Sequence, residues 1–157
     1  MEMNREDLEK IGKVLKDIEF LQHMTPAETD KLIAGFEKSA MKSGETLITQ
    51  GKSGAVFYVI ASGVVGVYLK RSLMDKKVAT LATGEFFGEM SLISDEPRSA
   101  SVICEADGEV FTLLRDTFRD VIMHNAFISE VIRKTAAKRK VDTHNIELGE
   151  AIGRNFR

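Results

Sequence analysis

Apolar residues recur at helical spacing through the first part of the chain. Between residues 8 and 21 they fall close to positions i, i+3, i+4 and i+7, which predicts an amphipathic helix. These residues are Leu8, Ile11, Val14, Leu15, Ile18 and Leu21. The run Thr25-Pro26-Ala27-Glu28 then combines an N-cap residue, a proline at the first helical position and a glutamate three residues after the cap. We therefore expect a second helix that reaches about Lys38. Its core-facing residues are Leu32, Ile33 and Phe36.

The pattern changes at Lys42-Ser43-Gly44, and from there to Leu114 short β-rich runs alternate with turn residues. The predicted strands are 46–50, 56–61, 64–70, 77–81, 101–104 and 110–114. The turns between them are 51–54, 62–63, 83–84 and 107–108. Many strands at short, regular spacing predict a sandwich or barrel. We expect residues 42–115 to form this β core, preceded by an N-terminal helical segment at 1–41.

Two helical runs are predicted after the last strand, within a C-terminal segment at 116–157. Asp116-Thr117 offers an N-cap, and Phe118, Val121 and Ile122 make a short helix that ends near His124-Asn125. A second run starts near Ala126 and is expected to reach about Gly149. The residues expected to cover the barrel are Phe127, Ile128, Val131 and Ile132.

Composition and charge narrow the function classes. Hydrophobic residues make up 43% of the 157 positions, enough for one domain with a real core. The net charge of −2 gives no basic field for nucleic acid, and the one basic cluster, at 133–140, is typical of a solvated helix face. No apolar run suits a signal peptide or a membrane helix, so we expect a cytoplasmic location and no membrane partner.

The sequence offers no catalytic or metal-binding pattern. Cys104 is the only cysteine and is expected to pack as a small hydrophobe in a strand. His23, His124 and His144 lack the spacing of metal ligands, and no nucleophile is paired with a base. We therefore expect no enzyme activity, no catalytic residue, no metal and no cofactor.

The stretch 86–102 carries the candidate chemistry. Gly88 precedes a segment, 89–93, that is long enough for one or two helical turns. Backbone N–H groups at such a start bind anions, and glycine lets a ligand approach closely. Arg98 follows a turn and has only small residues beside it, and arginine grips phosphate through two N–H groups. Glu89 would repel a phosphate unless it faced a sugar hydroxyl of the same ligand. A cyclic nucleotide fits all three features.

These residues resemble a known family. Phe87-Gly88-Glu89-Met90-Ser91-Leu92, followed by Pro97-Arg98-Ser99-Ala100-Ser101-Val102, is similar to the phosphate-binding cassette of cyclic nucleotide-binding domains. The interval from Glu89 to Arg98 equals that in the regulatory subunits of protein kinase A. Landmarks at Gly44-Glu45, Gln50-Gly51 and residues 57–65 extend the resemblance over the β region.

The resemblance implies a fold and a set of roles. The fold would be mainly β with flanking helices: a double-stranded β-helix, or jelly-roll, barrel with N-terminal helices and a C-terminal helical lid. Glu89 would bind the ribose 2′-hydroxyl and Arg98 the exocyclic phosphate oxygens. The backbone amides completing the phosphate site would be those of Gly88, Met90, Ser91 and Ala100. Counting along the last helix places the residue that contacts the base at Thr143.

Nucleotide choice and output follow less directly from the resemblance. Ser99 supplies a hydroxyl that in the family can bind guanine, yet serine also occupies this place in the bacterial cyclic AMP receptor, so we favour cyclic AMP over cyclic GMP. The implied function is a sensor whose C-terminal helices move on ligand binding, with Phe118, Phe127, Val131 and Ile132 linking barrel and lid. A homodimer through the last helix or an unseen effector domain would be its partner. The 17 residues after Lys140 are too few for a helix-turn-helix.

Other interpretations remain open from the residues alone. Glu89 and Arg98 could form a structural ion pair in a protein-interaction or dimerisation domain of the same fold. The 51–54 loop could be proposed as a phosphate cradle, although it lacks the Walker pattern. A phosphodiesterase activity has no supporting motif.

Overall fold

The structure is a computed structural model that describes residues 2–130 and 133–134. The α-helices with assigned bounds in the described residues are α1 (Arg5–Leu15), α2 (Pro26–Ala34) and α3 (Arg115–Ile122). The strands in this part of the chain are β1 (Glu37–Met41), β2 (Thr46–Ile48), β3 (Val56–Arg71), β4 (Met74–Leu81), β5 (Phe86–Phe87) and β6 (Ser101–Leu114). Two 3-10 helices lie at Glu19–Leu21 and Glu89–Leu92, and residues 126–130 are also helical. Thr143, Val131 and Ile132 lie outside the described residues.

The N-terminal helices are fixed by side-chain caps. Thr25 Oγ1 accepts from Glu28 N, and the Glu28 carboxylate accepts from Thr25 N, so the predicted start of α2 is confirmed. Asn4 and Asp7 form the same reciprocal pair at the start of α1. Asp7 is buried and also accepts a hydrogen bond from Lys38 Nζ at 3.1 Å, which ties α1 to the sheet.

Two helix ends differ from the prediction. The apolar run at 8–21 is not one helix, because α1 ends at Leu15 and the 3-10 helix Glu19–Leu21 follows. The expectation that the second helix reaches Lys38 is also wrong, because α2 ends at Ala34 and is capped at Gly35. Lys38 instead lies in β1, which pairs antiparallel with β6. The hydrogen bonds of the sheet ladder outweigh the helical pattern here.

The sheet is antiparallel throughout the described residues, in the order β1-β6-β3-β4, with β2 on β6 and β5 on β3. Its two long strands cross positions where we predicted turns. β3 runs through Ser62-Gly63 and β6 runs through Asp107-Gly108, and the register between the two strands shifts there. The predicted turn residues therefore form bulges that bend paired strands, and they do not reverse the chain.

Apolar side chains fill two regions on either side of this sheet. One lies between the helices and the sheet and contains Phe36, Phe57 and Phe118, with the rings of Phe36 and Phe57 edge to face at 5.9 Å. The other lies inside the roll and contains Phe87 and the buried Cys104, as predicted for this cysteine. The architecture is mainly antiparallel β with flanking helices, which confirms the predicted fold class. In the described part of the chain, no helix is long and apolar enough to cross a membrane.

The bulge at Gly63 gives a test of the bend. Gly63 has φ +90°, and an added Cβ would lie 2.7 Å from the carbonyl oxygen of Ala106. Gly84 has a similar φ of +85° with nothing within 4 Å. Gly84→Ala should lower the free energy of unfolding by roughly 1–2 kcal/mol from backbone conformation alone. Gly63→Ala should cost at least about 1 kcal/mol more, because a backbone atom must also move.

Urea unfolding of both variants measures the difference. Equal losses in the two variants would show that β3 and β6 do not approach as closely at the bulge as described.

Candidate functional site

The site is organised by the turn at Gly88. Strand β5 pairs with β3, placing Phe87 opposite Tyr58, and the chain then turns at Gly88 with φ +80°. A Cβ on Gly88 would lie 2.7 Å from Arg98 Nη1. Two constraints therefore require glycine at position 88: the left-handed backbone and the guanidinium that lies beside it. The 3-10 helix Glu89–Leu92 begins immediately after it, which confirms the predicted helical turn.

The guanidinium of Arg98 lies in a slot made by backbone. Its Nη2 donates to the carbonyl oxygen of Val56 at 2.9 Å. Its plane lies so close to Gly54 that a Cβ there would be 2.5 Å from Nε and Nη2. The backbone of Arg98 is held by the same loop, because Arg98 N donates to Lys52 O at 2.9 Å and Gly51 N donates to Arg98 O at 2.8 Å. The 51–54 loop thus forms the wall that supports Arg98.

Burial shapes the electrostatics of this slot. Burial lowers the pKa of the Arg98 guanidinium, the charge on Arg115 lowers it further, and Tyr58 and Glu89 act in the opposite direction. Arginine nevertheless stays charged at neutral pH. Burial also raises the pKa of Tyr58, whose ring stacks on Phe87 at 4.8 Å and whose hydroxyl donates to Leu47 O at 3.2 Å. A cation that has lost part of its hydration favours an anionic ligand.

Buried polar residues are concentrated at the same turn. Among the described residues, the buried polar or charged ones are Asp7, Glu89 and Ser91, and two of these three belong to the 3-10 helix Glu89–Leu92. Glu89 is only 5% exposed. Buried carboxylates are rare in proteins without a specific purpose, so this burial marks the turn as a candidate binding site.

The structure brings together most of the residues predicted from the sequence. Gly88, Glu89 and Arg98 are neighbours in space, and Met90 and Ser91 belong to the same turn as Glu89. Two further predicted residues follow Arg98 directly: Ser99, which is half-buried, and Ala100, which is fully buried. Thr143, the predicted base contact, lies outside the described residues.

Arg115 is a site residue that the sequence reasoning missed. Its guanidinium donates to the carbonyl oxygens of Ser91 at 2.6 Å, Gly54 at 2.7 Å and Ser94 at 3.1 Å, and it forms an ion pair with Asp95. Arg115 is also the first residue of α3, where a positive charge opposes the helix dipole. No sequence signal identified this position, because the predicted N-cap at Asp116-Thr117 placed Arg115 outside the helix. The expected N-cap at Asp116-Thr117 is wrong, because α3 begins at Arg115 and its N-cap position, Leu114, has no side-chain cap.

The apolar contacts of the C-terminal segment differ in part from the prediction. Phe118 is buried and its ring lies edge to face with Phe20 at 6.3 Å. Phe127 was expected to cover the barrel, but it is 62% exposed and rests its ring against His23 at 4.7 Å. The neighbouring Ile128 takes the buried position, and Asn125 caps this helical turn by accepting from Ile128 N.

The strands form an antiparallel β roll with a half-buried arginine and a buried glutamate near one turn. This arrangement is typical of domains that bind a small ligand. A family model described as the cyclic nucleotide-binding domain matches residues 38–125. The chain belongs to this cyclic nucleotide-binding domain family. Within the described residues, no cluster of His, Cys, Asp or Glu side chains could hold a metal ion.

Curated relatives include regulatory subunits of cAMP-dependent protein kinase. The chain is 32% identical over 108 residues to the subunit of Colletotrichum orbiculare, a match that covers 69% of this chain and 27% of the relative. It is 33% identical to that of Yarrowia lipolytica, covering 69% of this chain and 28% of the relative. The chain therefore matches only about a quarter of the length of these relatives.

Solved structures share the fold. A cAMP-bound PfPKA-R fragment superposes with a TM-score of 0.70 at 22% identity, covering 79% of this chain and 44% of that chain. The catabolite activator protein of Thermus thermophilus superposes with a TM-score of 0.60 at 27% identity, covering 80% of this chain and 59% of that chain.

The role of Arg115 can be separated from that of its ion pair. Arg115→Ala should lower the free energy of unfolding by roughly 2–4 kcal/mol, because charge-assisted bonds to three carbonyl groups are lost. Asp95→Ala should cost less than about 1 kcal/mol, because the Asp95 side chain is 76% exposed. Arg119→Ala, an exposed position in the same helix, serves as the control and should change stability by under about 0.5 kcal/mol.

Urea unfolding of the three variants provides the measurement. If Asp95→Ala were as damaging as Arg115→Ala, the ion pair and not the carbonyl contacts would anchor the turn.

Proposed function

We propose that this chain is a non-enzymatic sensor domain that binds a cyclic nucleotide, with cyclic AMP favoured over cyclic GMP. The observation that carries the proposal is the placement of Arg98, which is held between Gly54 and Gly88 and lies next to a buried Glu89. This is a cationic slot with a carboxylate at its side. It suits a ligand that combines one phosphate with a nearby hydroxyl.

Each end of such a ligand has a matching group. Arg98 would bind the exocyclic phosphate oxygens through N–H groups other than the one on Nη2 that donates to Val56 O. The first N–H groups of the turn at Gly88 have no acceptor within their own helix, so they would add donors to the phosphate. The Glu89 carboxylate would accept from the ribose 2′-hydroxyl. The backbone amides proposed to complete the site are those of Gly88, Met90, Ser91 and Ala100; the Ser91 amide donates to Gly88 O at 3.1 Å in this structure, so it would exchange that acceptor for the phosphate.

The preference for cyclic AMP rests on two supports. Curated relatives are named as regulatory subunits of cAMP-dependent protein kinase, and a structure with the same fold was solved with cAMP. Ser99, which directly follows Arg98, is compatible with either nucleotide. A regulatory partner or effector, a homodimer and a cytoplasmic location remain predictions from the sequence.

Arg115 offers a route from ligand binding to the C-terminal segment. Its side chain binds the carbonyl oxygen of Ser91 in the 3-10 turn, and its backbone begins α3. A shift of that turn toward a bound phosphate would therefore pull on the start of α3 and on the buried Phe118. The ligand can drive this change only if it binds the shifted arrangement more tightly than the other.

Calorimetric titration with cyclic AMP and cyclic GMP tests the proposal directly. The chain should bind at least one of the two nucleotides saturably, with cyclic AMP the tighter. Arg98→Ala should weaken binding by roughly 30-fold to several thousand-fold, because a partly buried phosphate partner is removed. Arg119→Ala removes an exposed arginine and should leave binding unchanged. Absence of binding to the folded wild-type chain would contradict the proposal and favour an interaction or dimerisation domain.

A second experiment isolates Glu89. Glu89→Gln should weaken cyclic AMP binding by roughly 10- to 150-fold, because a charged hydrogen bond to a hydroxyl is lost. The same substitution should have little effect on binding of 2′-deoxy cyclic AMP, which lacks that hydroxyl. An equal loss for both nucleotides would mean that Glu89 supports the turn and does not bind the ribose.

A further inference from the structure

The hairpin that joins β3 to β4 carries two exposed apolar side chains at its tip. Arg71 pairs with Met74, so Ser72 and Leu73 form a two-residue turn. Leu73 is 97% exposed and Met74 is 76% exposed, the highest values among the large hydrophobic residues of the described chain. Such residues contribute nothing to the core.

The chemistry of the turn does not explain these residues. Two-residue hairpin turns require left-handed backbone, and Ser72 has φ +56°. Glycine, asparagine and aspartate adopt this backbone at low cost, but the left-handed position is that of Ser72, so the turn sets no requirement for leucine at 73 or methionine at 74. A leucine and a methionine at an exposed tip are unfavourable for solubility, so a surface contact is the simplest reason for them.

Basic residues surround this apolar tip and form a second basic group in addition to the cluster at 133–140. Residues 70–77 contain Lys70, Arg71, Lys76 and Lys77 with Asp75 as the single acid, and all of them are exposed. Lys77 forms an ion pair outside the hairpin, because its Nζ lies 2.7 Å from Glu105 Oε1. The local excess of positive charge contrasts with the net charge of −2 of the whole chain.

We propose that this basic hairpin tip, residues 70–77, is a peripheral docking element for an anionic lipid membrane. Leu73 and Met74 enter the headgroup region, while the flanking lysine and arginine side chains contact anionic headgroups. This combination of a small apolar group with basic neighbours is the pattern that binds anionic membrane surfaces. The sequence led us to expect no membrane partner, but that expectation rested on the lack of a spanning helix and does not bear on surface contact.

The shape of the tip favours a membrane over a folded protein partner. A stable protein interface buries about 800 Å² on each side and needs a complementary surface. Two side chains on a convex turn offer much less area, whereas lipid headgroups rearrange around a protruding tip. The positive charge also matches the negative surface of such a membrane.

The base of the hairpin is hydrogen-bonded to the rest of the β roll. Lys70 N donates to Gln50 Oε1 at 2.8 Å, and Gln50 Nε2 donates to Lys70 O at 3.3 Å. Gln50 N in turn donates to Ser101 Oγ at 2.9 Å, at the start of β6. The proposal is independent of nucleotide binding, since the tip shares no residue with the candidate site.

The chain contains no tryptophan, so one introduced by substitution is the sole tryptophan and its fluorescence reports on insertion. The full chain carrying Leu73→Trp is mixed with vesicles of phosphatidylcholine alone or with added phosphatidylserine. Its emission should shift to shorter wavelength only with phosphatidylserine, and salt should reverse the shift by screening. Met123→Trp places the reporter at an apolar position that is 65% exposed outside the hairpin, and its emission should not shift.

Vesicle sedimentation measures the energetic contributions. The double variant Leu73→Ser, Met74→Ser should lower partitioning onto phosphatidylserine vesicles by at least about tenfold, and Lys76→Gln by roughly fivefold. Lys13→Gln and Met123→Ser are the matched controls outside the hairpin and should sediment as the wild type does. Unchanged thermal unfolding of the hairpin variants confirms that they are folded.

Two results would overturn the proposal. One is equal sedimentation of the wild-type chain with neutral and anionic vesicles, which would leave an acidic protein surface as the alternative partner. The other is sedimentation of the double variant at the wild-type level, which would show that the tip is not the contact.

Discussion

The half-buried guanidinium of Arg98 is the constraint on which the site depends. A planar cation can lie in a slot this narrow only where the neighbouring residues have no side chain, and Gly54 and Gly88 meet that condition. It also needs acceptors in place of lost water, and Val56 O is one of them. The site therefore forms only when three segments are correctly placed: the 51–54 loop, the start of β3 and the turn after β5. The arginine is positioned by the backbone of three separate segments.

The local features of the fold were predictable from the sequence, because they are encoded within a few residues. The capping pair of Thr25 and Glu28 and the turn at Gly88 followed from local patterns. The adjacency of Gly88, Glu89 and Arg98 followed from the resemblance to the cassette, and their roles in binding remain predictions. Features set by distant partners were not predictable. The sequences around Gly63 and Gly108 are typical of turns when considered locally. Only the pairing of β3 with β6 makes these positions bulges.

Contacts with distant elements also decide the positions of Arg115, which was not predicted, and Phe127, which was predicted to cover the barrel. Arg115 contacts the carbonyl oxygens of Gly54 and Ser91, which lie 61 and 24 positions away in the chain, so no local pattern could reveal it. Phe127 and Ile128 are adjacent apolar residues, and a helical period alone does not decide which one faces the core. The structure buries Ile128 and leaves Phe127 mostly exposed. In each case the deciding contact is with another element.

The long pairing of β3 with β6 also has a consequence for how the chain acquires its structure. Val56 pairs with Leu114 and Tyr68 with Ser101, so the central ladder of the sheet joins residues that are distant in sequence. Contacts of this kind require closure of large loops and make folding slow compared with helical domains of similar length. During synthesis, β3 can pair with β4 as soon as both are made, but its edge toward β6 stays unpaired until β6 has left the ribosome. The slot joins Arg98, which directly precedes β6, to the start of β3, so it forms only once this late pairing brings the two segments together, and the unpaired edge of β3 is prone to aggregation until then.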